Sequence, residues 1–252
     1  MILSTLLSGG SIKDIIIQLL LTMPVILFAL VIHETAHGYA AWKCGDPTAY
    51  NLGRLTLNPI KHLDPVGFLC MMVFGYGWAK PVPINARNFR NPKNGMAICA
   101  AAGPAANLLL GLISSMLCGF LRAWYLSLAI AEVSSFLINI VAITTIFMEL
   151  SALYNFLLMA FNLIPVPPFD GSRIALAFLP PRIYFNVMRY ERQIMFGVLI
   201  AIMLLSRVGL SPFSAIAEFL NGRVSYLFFN LSKGVFNLAD LELSYTYYRF
   251  IF

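Results

Sequence analysis

The feature that most constrains this chain is an apolar run from Ile15 to Trp42, which only a few polar residues interrupt. About 20 apolar residues let a helix cross the hydrocarbon core of a bilayer, so this run predicts a membrane-spanning helix that projects beyond it. The whole chain shares this character, because 60% of its residues are hydrophobic and only 11% are charged. In soluble domains roughly 45–50% of the residues are hydrophobic and about 25% are charged. The sequence therefore predicts an integral membrane protein and excludes soluble, disordered and low-complexity classes.

Further apolar runs predict an all-α, polytopic protein with one membrane-embedded domain over residues 1–252. The segment Val66–Phe74 is too short to cross and predicts a short re-entrant, interfacial or β-hairpin-like loop. Four to six membrane helices are expected, and the first three would form the core. The helices are predicted at about 15–42, 96–121, 133–163 and 194–210, with a fifth crossing or an interfacial helix at 212–232.

Basic residues are concentrated in two stretches, 43–94 and 172–193, which two predicted crossings separate. Because Lys and Arg favour the cytoplasmic side, both stretches are expected inside the cell, with the N-terminus and a connector at 122–131 outside. The same bias accounts for the net charge of +6, so no nucleic-acid partner is expected. The first residues lack a basic region and a small-residue cleavage site, and no signal peptide is predicted.

The first run contains the sequence His33-Glu34-Thr35-Ala36-His37. Residues four apart share one face of a helix, so both imidazoles can reach one metal ion with Glu34 beside it. A catalytic zinc ion requires two such nitrogens, a third protein ligand and an open position for water, which attacks an amide once a carboxylate takes its proton. The alternative is a pair of polar side chains at a helix interface. Ionisable groups inside a membrane span are costly, which favours the metal.

A third ligand has few candidates, because acidic residues are scarce in this chain. Asp170 follows the end of the third run within the sequence NLIPVPPFDG at 162–171, on the same predicted membrane side as His33 and His37. The prolines prevent a continued helix, and Gly171 would allow a turn that points Asp170 back to the site.

Alternatives to this ligand remain open. Asp170 could instead cap a helix that begins near Ser172. Asp64 and Glu149 are rival acidic ligands, although Glu149 would lie about 20 Å from Asp170 along a continuous helix. Glu149 is otherwise expected to face the bundle with a hydrogen-bond partner or a water cavity, and His62 to be a structural hydrogen-bonding residue.

Together, HETAH at 33–37 and NLIPVPPFDG at 162–171 resemble the site-two protease family of intramembrane zinc metalloproteases, peptidase family M50. The resemblance covers most of the chain and is to the small branch that lacks PDZ and CBS domains. Further similar segments are GDPTAYNLGRLTLNPIKHLDPVG, GWAKPVPINARNFRNP, GPAAN at 103–107 and Tyr190-Glu191-Arg192.

The resemblance implies one zinc ion per chain, bound by His33, His37 and Asp170, with Glu34 as general base and a catalytic core of the first three helices. It implies a zinc metalloendopeptidase of the cell membrane. The substrates would be transmembrane proteins or peptides, cut in or near their transmembrane segments within the lipid bilayer. The active site would lie toward the cytoplasmic side.

Two asparagines and one loop are implied candidates for substrate contact. Asn162 would donate a hydrogen bond to the substrate carbonyl or its oxyanion, or else only cap the helix end. Asn107 would face the site, or its GPAAN segment would serve only close helix packing. A loop would offer a strand edge to unwound substrate, or would instead be a connector that meets anionic lipid. Its residues are Val82, Pro83, Ile84 and Asn85.

Two other functions remain open. A transporter or scaffold could hold zinc without proteolysis, but a structural zinc site closes its coordination with four protein ligands and needs no base such as Glu34. A membrane protease could also use the same motif on soluble peptides or lipidated tails. No oligomeric state is predicted.

Overall fold

A computed structural model of the protein describes residues 2, 5, 9–74, 77–131, 133–178, 180, 186, 189–207 and 212–238. In this part of the chain no strand forms, and the β pairing is an isolated antiparallel bridge between Leu63 and Ala79. The described helices are α1 (Ile12–Lys43), α2 (Thr48–Asn51), α3 (Pro65–Phe74), α4 (Pro92–Ile130), α5 (Ser135–Asn162), α6 (Asp170–Leu176), α7 (Glu191–Arg207) and α8 (Pro212–Ser232). The predicted all-α fold is confirmed.

The first helix starts at a capping box, in which the Asp14 amide donates to the Ser11 hydroxyl and the Ser11 amide donates to the Asp14 carboxylate. These contacts satisfy amides that have no partner inside the first turn. The helix has 32 residues, which at a rise of about 1.5 Å per residue is about 48 Å. It therefore exceeds the roughly 30 Å hydrocarbon core, as its sequence predicts.

Three described helices are long and apolar enough to cross a membrane: α1, α4 and α5. They correspond to the three runs that the sequence predicts as the core. However, α4 continues to Ile130 through the residues predicted as a connector from Arg122. The helix can continue because Arg122 is buried and its Nη2 lies 2.8 Å from Glu149 Oε1 on α5, so the charge is paired inside the protein.

The remaining segments are helical where the structure describes them. α7 covers most of the predicted fourth helix, whose end at 208–210 lies outside the described residues, as does most of 179–188. α8 matches the segment predicted at 212–232. The predicted re-entrant or hairpin-like loop is the ten-residue helix α3, and the bridge from Leu63 to Ala79 joins the chain on its two sides.

The chain divides into two compact units. In the second unit Ser115 donates a hydrogen bond to Asn221 over 2.8 Å, and Phe229 is fully buried in an apolar cluster. The candidate metal site lies wholly in the first unit. The predicted single membrane domain stays a prediction. The first unit is Met1–Asn107 with Leu158–Ser211, and the second is Leu108–Leu157 with Pro212–Phe252.

Candidate metal centre

Helix α1 places two histidine rings side by side. His33 and His37 are four residues apart and therefore project from one face of the helix. Their Nε2 atoms are 3.0 Å apart, and the two rings are nearly perpendicular, at 88°. Both side chains are buried. The helix thus directs two imidazole nitrogens to one point.

The segment after α5 brings a carboxylate to the same point. α5 ends at Asn162, prolines occupy the following turns, and Asp170 is the first residue of α6, with Phe169 as its N-cap. The Asp170 Oδ2 atom lies 3.1 Å from Nε2 of both His33 and His37. Burial raises the pKa of Asp170, but hydrogen bonding and charge from the two histidines, when their rings are protonated, outweigh it and hold the pKa well below its usual range.

Gly171 serves this arrangement in a different way from the one predicted. It lies inside α6 rather than in a turn of its own. A Cβ at this position would lie 2.3 Å from the carbonyl oxygen of Leu163, well inside van der Waals contact. The glycine is needed because the start of α6 packs directly against the backbone at the end of α5.

One face of α4 forms the wall behind the histidines. Nδ1 of His37 donates to the backbone carbonyl of Cys99 over 2.6 Å. Nδ1 of His33 pairs with the side-chain oxygen of Asn107. Gly103 lies between them, and a Cβ there would be 2.5 Å from His37 Nε2. Positions 99, 103 and 107 are four residues apart, so this face of α4 follows the spacing of the two histidines on α1.

These contacts determine where the ring protons are. The Asn107 side-chain nitrogen donates to the Ala29 carbonyl at 3.3 Å, so its oxygen must be the atom that faces His33. An oxygen beside each Nδ1 requires an N–H there, in His33 from Asn107 and in His37 from Cys99. In the neutral rings both Nε2 atoms then carry lone pairs and no proton.

Such a group of atoms fits a zinc ion. Two nitrogen lone pairs and a carboxylate oxygen converge at separations of 3.0–3.1 Å, where they repel one another unless a cation lies between them. Ligands about 2.0–2.1 Å from a tetrahedral zinc ion lie about 3.3 Å apart. His33, His37 and Asp170 also form the potential metal-binding cluster of the described residues. Two histidines and one acid are the donor set typical of catalytic zinc.

Glu34 lies in the same cavity without joining this cluster. Its Oε2 accepts a hydrogen bond from the Val82 amide over 3.0 Å. The cavity has a volume of about 190 Å³ and is polar at the metal cluster. Its lining includes His33, Glu34, His37, Val82, Asn162, Asp170 and Arg173.

The loop that provides Val82 is fixed at its start by three contacts. Ala79 forms the bridge with Leu63, and the Lys80 amide donates to the His62 carbonyl over 2.8 Å. Arg54 donates from Nη2 to the Lys80 carbonyl at 2.9 Å. Residues 81–85 then have no regular secondary structure, with an extended backbone at Asn85, and no strand of the described chain pairs with them.

Asp46 fixes the other end of this loop. It is fully buried just after α1 and accepts hydrogen bonds from the Asn85 amide and the Asn88 side chain, both over 2.7 Å, and from Thr48. Burial raises the pKa of Asp46, but these hydrogen bonds outweigh it and hold the pKa below its usual range. Asp46 is not among the site residues that the sequence predicts. Its signal is the GDPT sequence directly after a helix, which is typical of an Asp-based turn.

The two predicted asparagines have different positions. Asn162 lines the cavity, and its side-chain nitrogen also donates back to the Leu158 carbonyl over 3.0 Å. Asn107 is fully buried behind His33, and it is not among the described residues that line the cavity.

The rival acidic residues are engaged elsewhere. Asp64 accepts the Gly67 amide over 2.8 Å and so caps α3. Glu149 is paired with Arg122. His62 is buried, and its Nε2 donates to the Thr56 carbonyl over 2.8 Å, which agrees with a structural role.

Comparison with known proteins gives two curated relatives and one family. A family profile described as "Peptidase family M50" matches residues 21–206. The chain is similar to "Putative zinc metalloprotease YwhC" of Bacillus subtilis, with 38% identity over 173 residues, which cover 67% of this chain and 75% of that protein. It is also similar to "Putative zinc metalloprotease Rip2" of Mycolicibacterium smegmatis, with 28% identity over 151 residues, 58% of this chain and 52% of that protein. The match thus spans about half of the second relative. No solved structure matches the chain significantly.

Proposed function

Because the chain belongs to peptidase family M50, we propose that it cleaves peptide bonds in or near the transmembrane segments of membrane proteins. The family match confirms two sequence predictions, the resemblance to this family and the metalloendopeptidase class. The observation that carries the proposal is the convergence of three ligand atoms beside Glu34, in a protein whose long helices are apolar enough to cross a membrane.

In this proposal His33, His37 and Asp170 hold one zinc ion, and Glu34 is the general base. When bound, zinc supplies Lewis acidity, which polarises a carbonyl oxygen and lowers the pKa of water. Glu34 accepts a proton from the attacking water at its carboxylate and delivers a proton to the leaving nitrogen. The hydrogen bond from Val82 holds the other carboxylate oxygen and fixes the direction in which the base points.

The loop at 81–85 supports the proposed handling of substrate. A transmembrane helix must be unwound before its backbone can reach the site, and each amide that this frees needs a new partner. The backbone carbonyls of Val82, Pro83, Ile84 and Asn85 would accept from these amides by adding the substrate as a strand. The contact from Val82 to Glu34 would place that strand beside the base. Asn162, in the cavity wall, would contact the substrate carbonyl.

Aromatic side chains support a site close to the inner membrane boundary. Trp42 stacks on Tyr50 with ring centroids 5.3 Å apart, and the Lys43 ammonium lies 4.7 Å from the Trp42 ring. Both rings are exposed, as is Tyr39, and Trp and Tyr are enriched where a bilayer meets water. His37 precedes Trp42 by five residues, about 7.5 Å along a helix. The centre would therefore lie about one to two turns inside this boundary.

We expect Asp170→Ala to lower the zinc content of the purified protein well below one ion per chain, because only the two imidazoles would remain. Asp64→Ala is the matched control and should leave zinc content unchanged, since Asp64 caps α3. Metal analysis after gel filtration measures both. A stoichiometric zinc ion in the Asp170→Ala protein would exclude Asp170 as a ligand.

The proposed orientation places the loops at 43–94 and 172–193 in the cytoplasm. In a background without the four native cysteines, we expect an Asn91→Cys protein to resist an impermeant thiol reagent in intact cells and to react after lysis. An Ala131→Cys protein, with its thiol just after α4, should react in intact cells. The reverse labelling pattern would show that the protein has the opposite topology.

A further inference from the structure

We propose that Asn107 is a positioning residue for the metal centre: its side-chain amide sets the tautomer and orientation of His33. The inference rests on the proposed zinc site. Asn107 is fully buried on α4, its oxygen pairs with His33 Nδ1, and its nitrogen donates to the Ala29 carbonyl. Both ends of the amide are thus engaged by α1.

The hydrogen bond to the Ala29 carbonyl determines which end of the Asn107 amide faces His33. An asparagine amide has an acceptor at one end and donors at the other, and Ala29 presents a carbonyl that accepts only. Reversing the amide would bring its nitrogen to the N–H of His33 and its oxygen to the Ala29 carbonyl, so both contacts would be lost. Ala29 precedes His33 by one helical turn and therefore keeps the Asn107 oxygen directed at the ring.

The bond from Asn107 determines which nitrogen of His33 can bind metal. With a proton on Nδ1, Nε2 has its lone pair free, and it lies 3.1 Å from Asp170 Oδ2. The other tautomer would place a proton at Nε2, where it prevents metal binding. Partners of this kind fix the tautomer and ring orientation of a histidine ligand.

His37 has no equivalent side-chain dependence in the described structure, because its Nδ1 donates to the backbone carbonyl of Cys99. A substitution at position 99 keeps that acceptor, whereas a substitution at position 107 removes the acceptor for His33. Mutagenesis of Asn107 can therefore test whether a hydrogen-bond partner at Nδ1 matters for metal binding.

We expect Asn107→Leu to weaken zinc binding by about 10–100-fold, the usual effect of removing such a partner. Asn107→Asp retains an oxygen acceptor for Nδ1 but loses the donor to Ala29, so it should weaken zinc binding clearly less than Asn107→Leu does. The measurement is the zinc dissociation constant of purified protein, obtained by competition with a chelator, which needs no substrate and no activity.

Asn155→Leu is the matched control. Asn155 is also buried, but its side chain donates to the Ser151 carbonyl on its own helix, and it belongs to the second unit. The thermal stability of each zinc-free protein is measured alongside. The control should lose stability without losing zinc affinity, whereas Asn107→Leu should lose zinc affinity whatever its stability.

Two results would overturn the role of Asn107: wild-type zinc affinity in Asn107→Leu, or an equal loss of affinity in Asn107→Leu and Asn107→Asp. If the leucine variant does not fold, Asn107→Ala and Asn107→Asp make the same comparison. A wild-type protein that binds no zinc would instead contradict the proposed metal site itself.

Discussion

Glu34→Gln is expected to keep its zinc ion and to cleave a membrane peptide about 10²–10⁴-fold more slowly than the wild type. The glutamine oxygen can still accept the hydrogen bond that Val82 donates, and the metal cluster does not include Glu34. The amide cannot take a proton from water, so the attacking group is no longer generated efficiently. Single-turnover cleavage of a peptide reconstituted in liposomes measures the rate, and metal analysis of the same sample measures zinc.

The same experiment separates the protease from a membrane protein that keeps zinc for structure. In a structural site the neighbouring carboxylate has no chemical role, so Glu34→Gln would change no activity of the protein. Glu218, an exposed residue on α8, belongs to the second unit and is not part of the metal cluster, so Glu218→Gln makes the same chemical change and should cleave at the wild-type rate. A Glu34→Gln enzyme that is as fast as wild type would contradict the proposed mechanism.

Gly103→Ala is expected to weaken zinc binding by about 100-fold or more, and activity with it. A Cβ at this position would lie 2.5 Å from His37 Nε2 and 2.6 Å from His33 Cε1, so one methyl group would displace both rings. Overpacking of a rigid site costs about 1–3 kcal/mol, and here the added carbon also sits against a ligand atom. The chelator competition used for Asn107 measures the change.

This expected loss contrasts with the effect of Gly→Ala at an ordinary helical glycine. Inside a helix, Gly→Ala stabilises by up to about 1 kcal/mol when space is available. Gly197 on α7 is such a position, because a Cβ there would have no neighbour within 4 Å. Gly197→Ala should therefore leave zinc affinity unchanged. Full zinc affinity in Gly103→Ala would mean that α4 does not approach the histidines closely.

Much of the centre could be predicted because its side chains follow simple patterns. His33, Glu34 and His37 lie within one turn of a helix, and helical spacing alone brings the two imidazoles together. The run lengths predict long apolar helices, and three helices of the described chain are long and apolar enough to cross a membrane. The position of Asp170 is harder to predict. Its approach to the two histidines depends on the path of the chain after α5, and the prolines indicate only that the helix ends.

The wall behind the histidines could not be predicted in the same way. The acceptor for His37 is the Cys99 backbone carbonyl, and every residue type provides one, so no letter in the sequence marks it. Gly103 is one of 17 glycines, and only the packing of α4 against α1 shows which of them must lack a Cβ. The predicted connector at 122–131 was wrong. A charged residue at the end of an apolar run indicates a segment exposed to water, unless its ion-pair partner on another helix is known. Here Glu149 is that partner for Arg122.

The ion pair between Arg122 and Glu149 also bears on how the chain enters the bilayer during synthesis. A single charged residue near the centre of an inserting helix costs about 2.5–3.5 kcal/mol. Glu149 is such a residue near the middle of α5, and Arg122, of opposite charge, is buried in the last third of α4, with only a few residues connecting Ile130 to Ser135. If the two helices insert together as a hairpin, the charges neutralise each other during the transfer. Biogenesis would then handle α4 and α5 as one unit, and a nascent chain that ends after α4 would expose an arginine that still lacks Glu149.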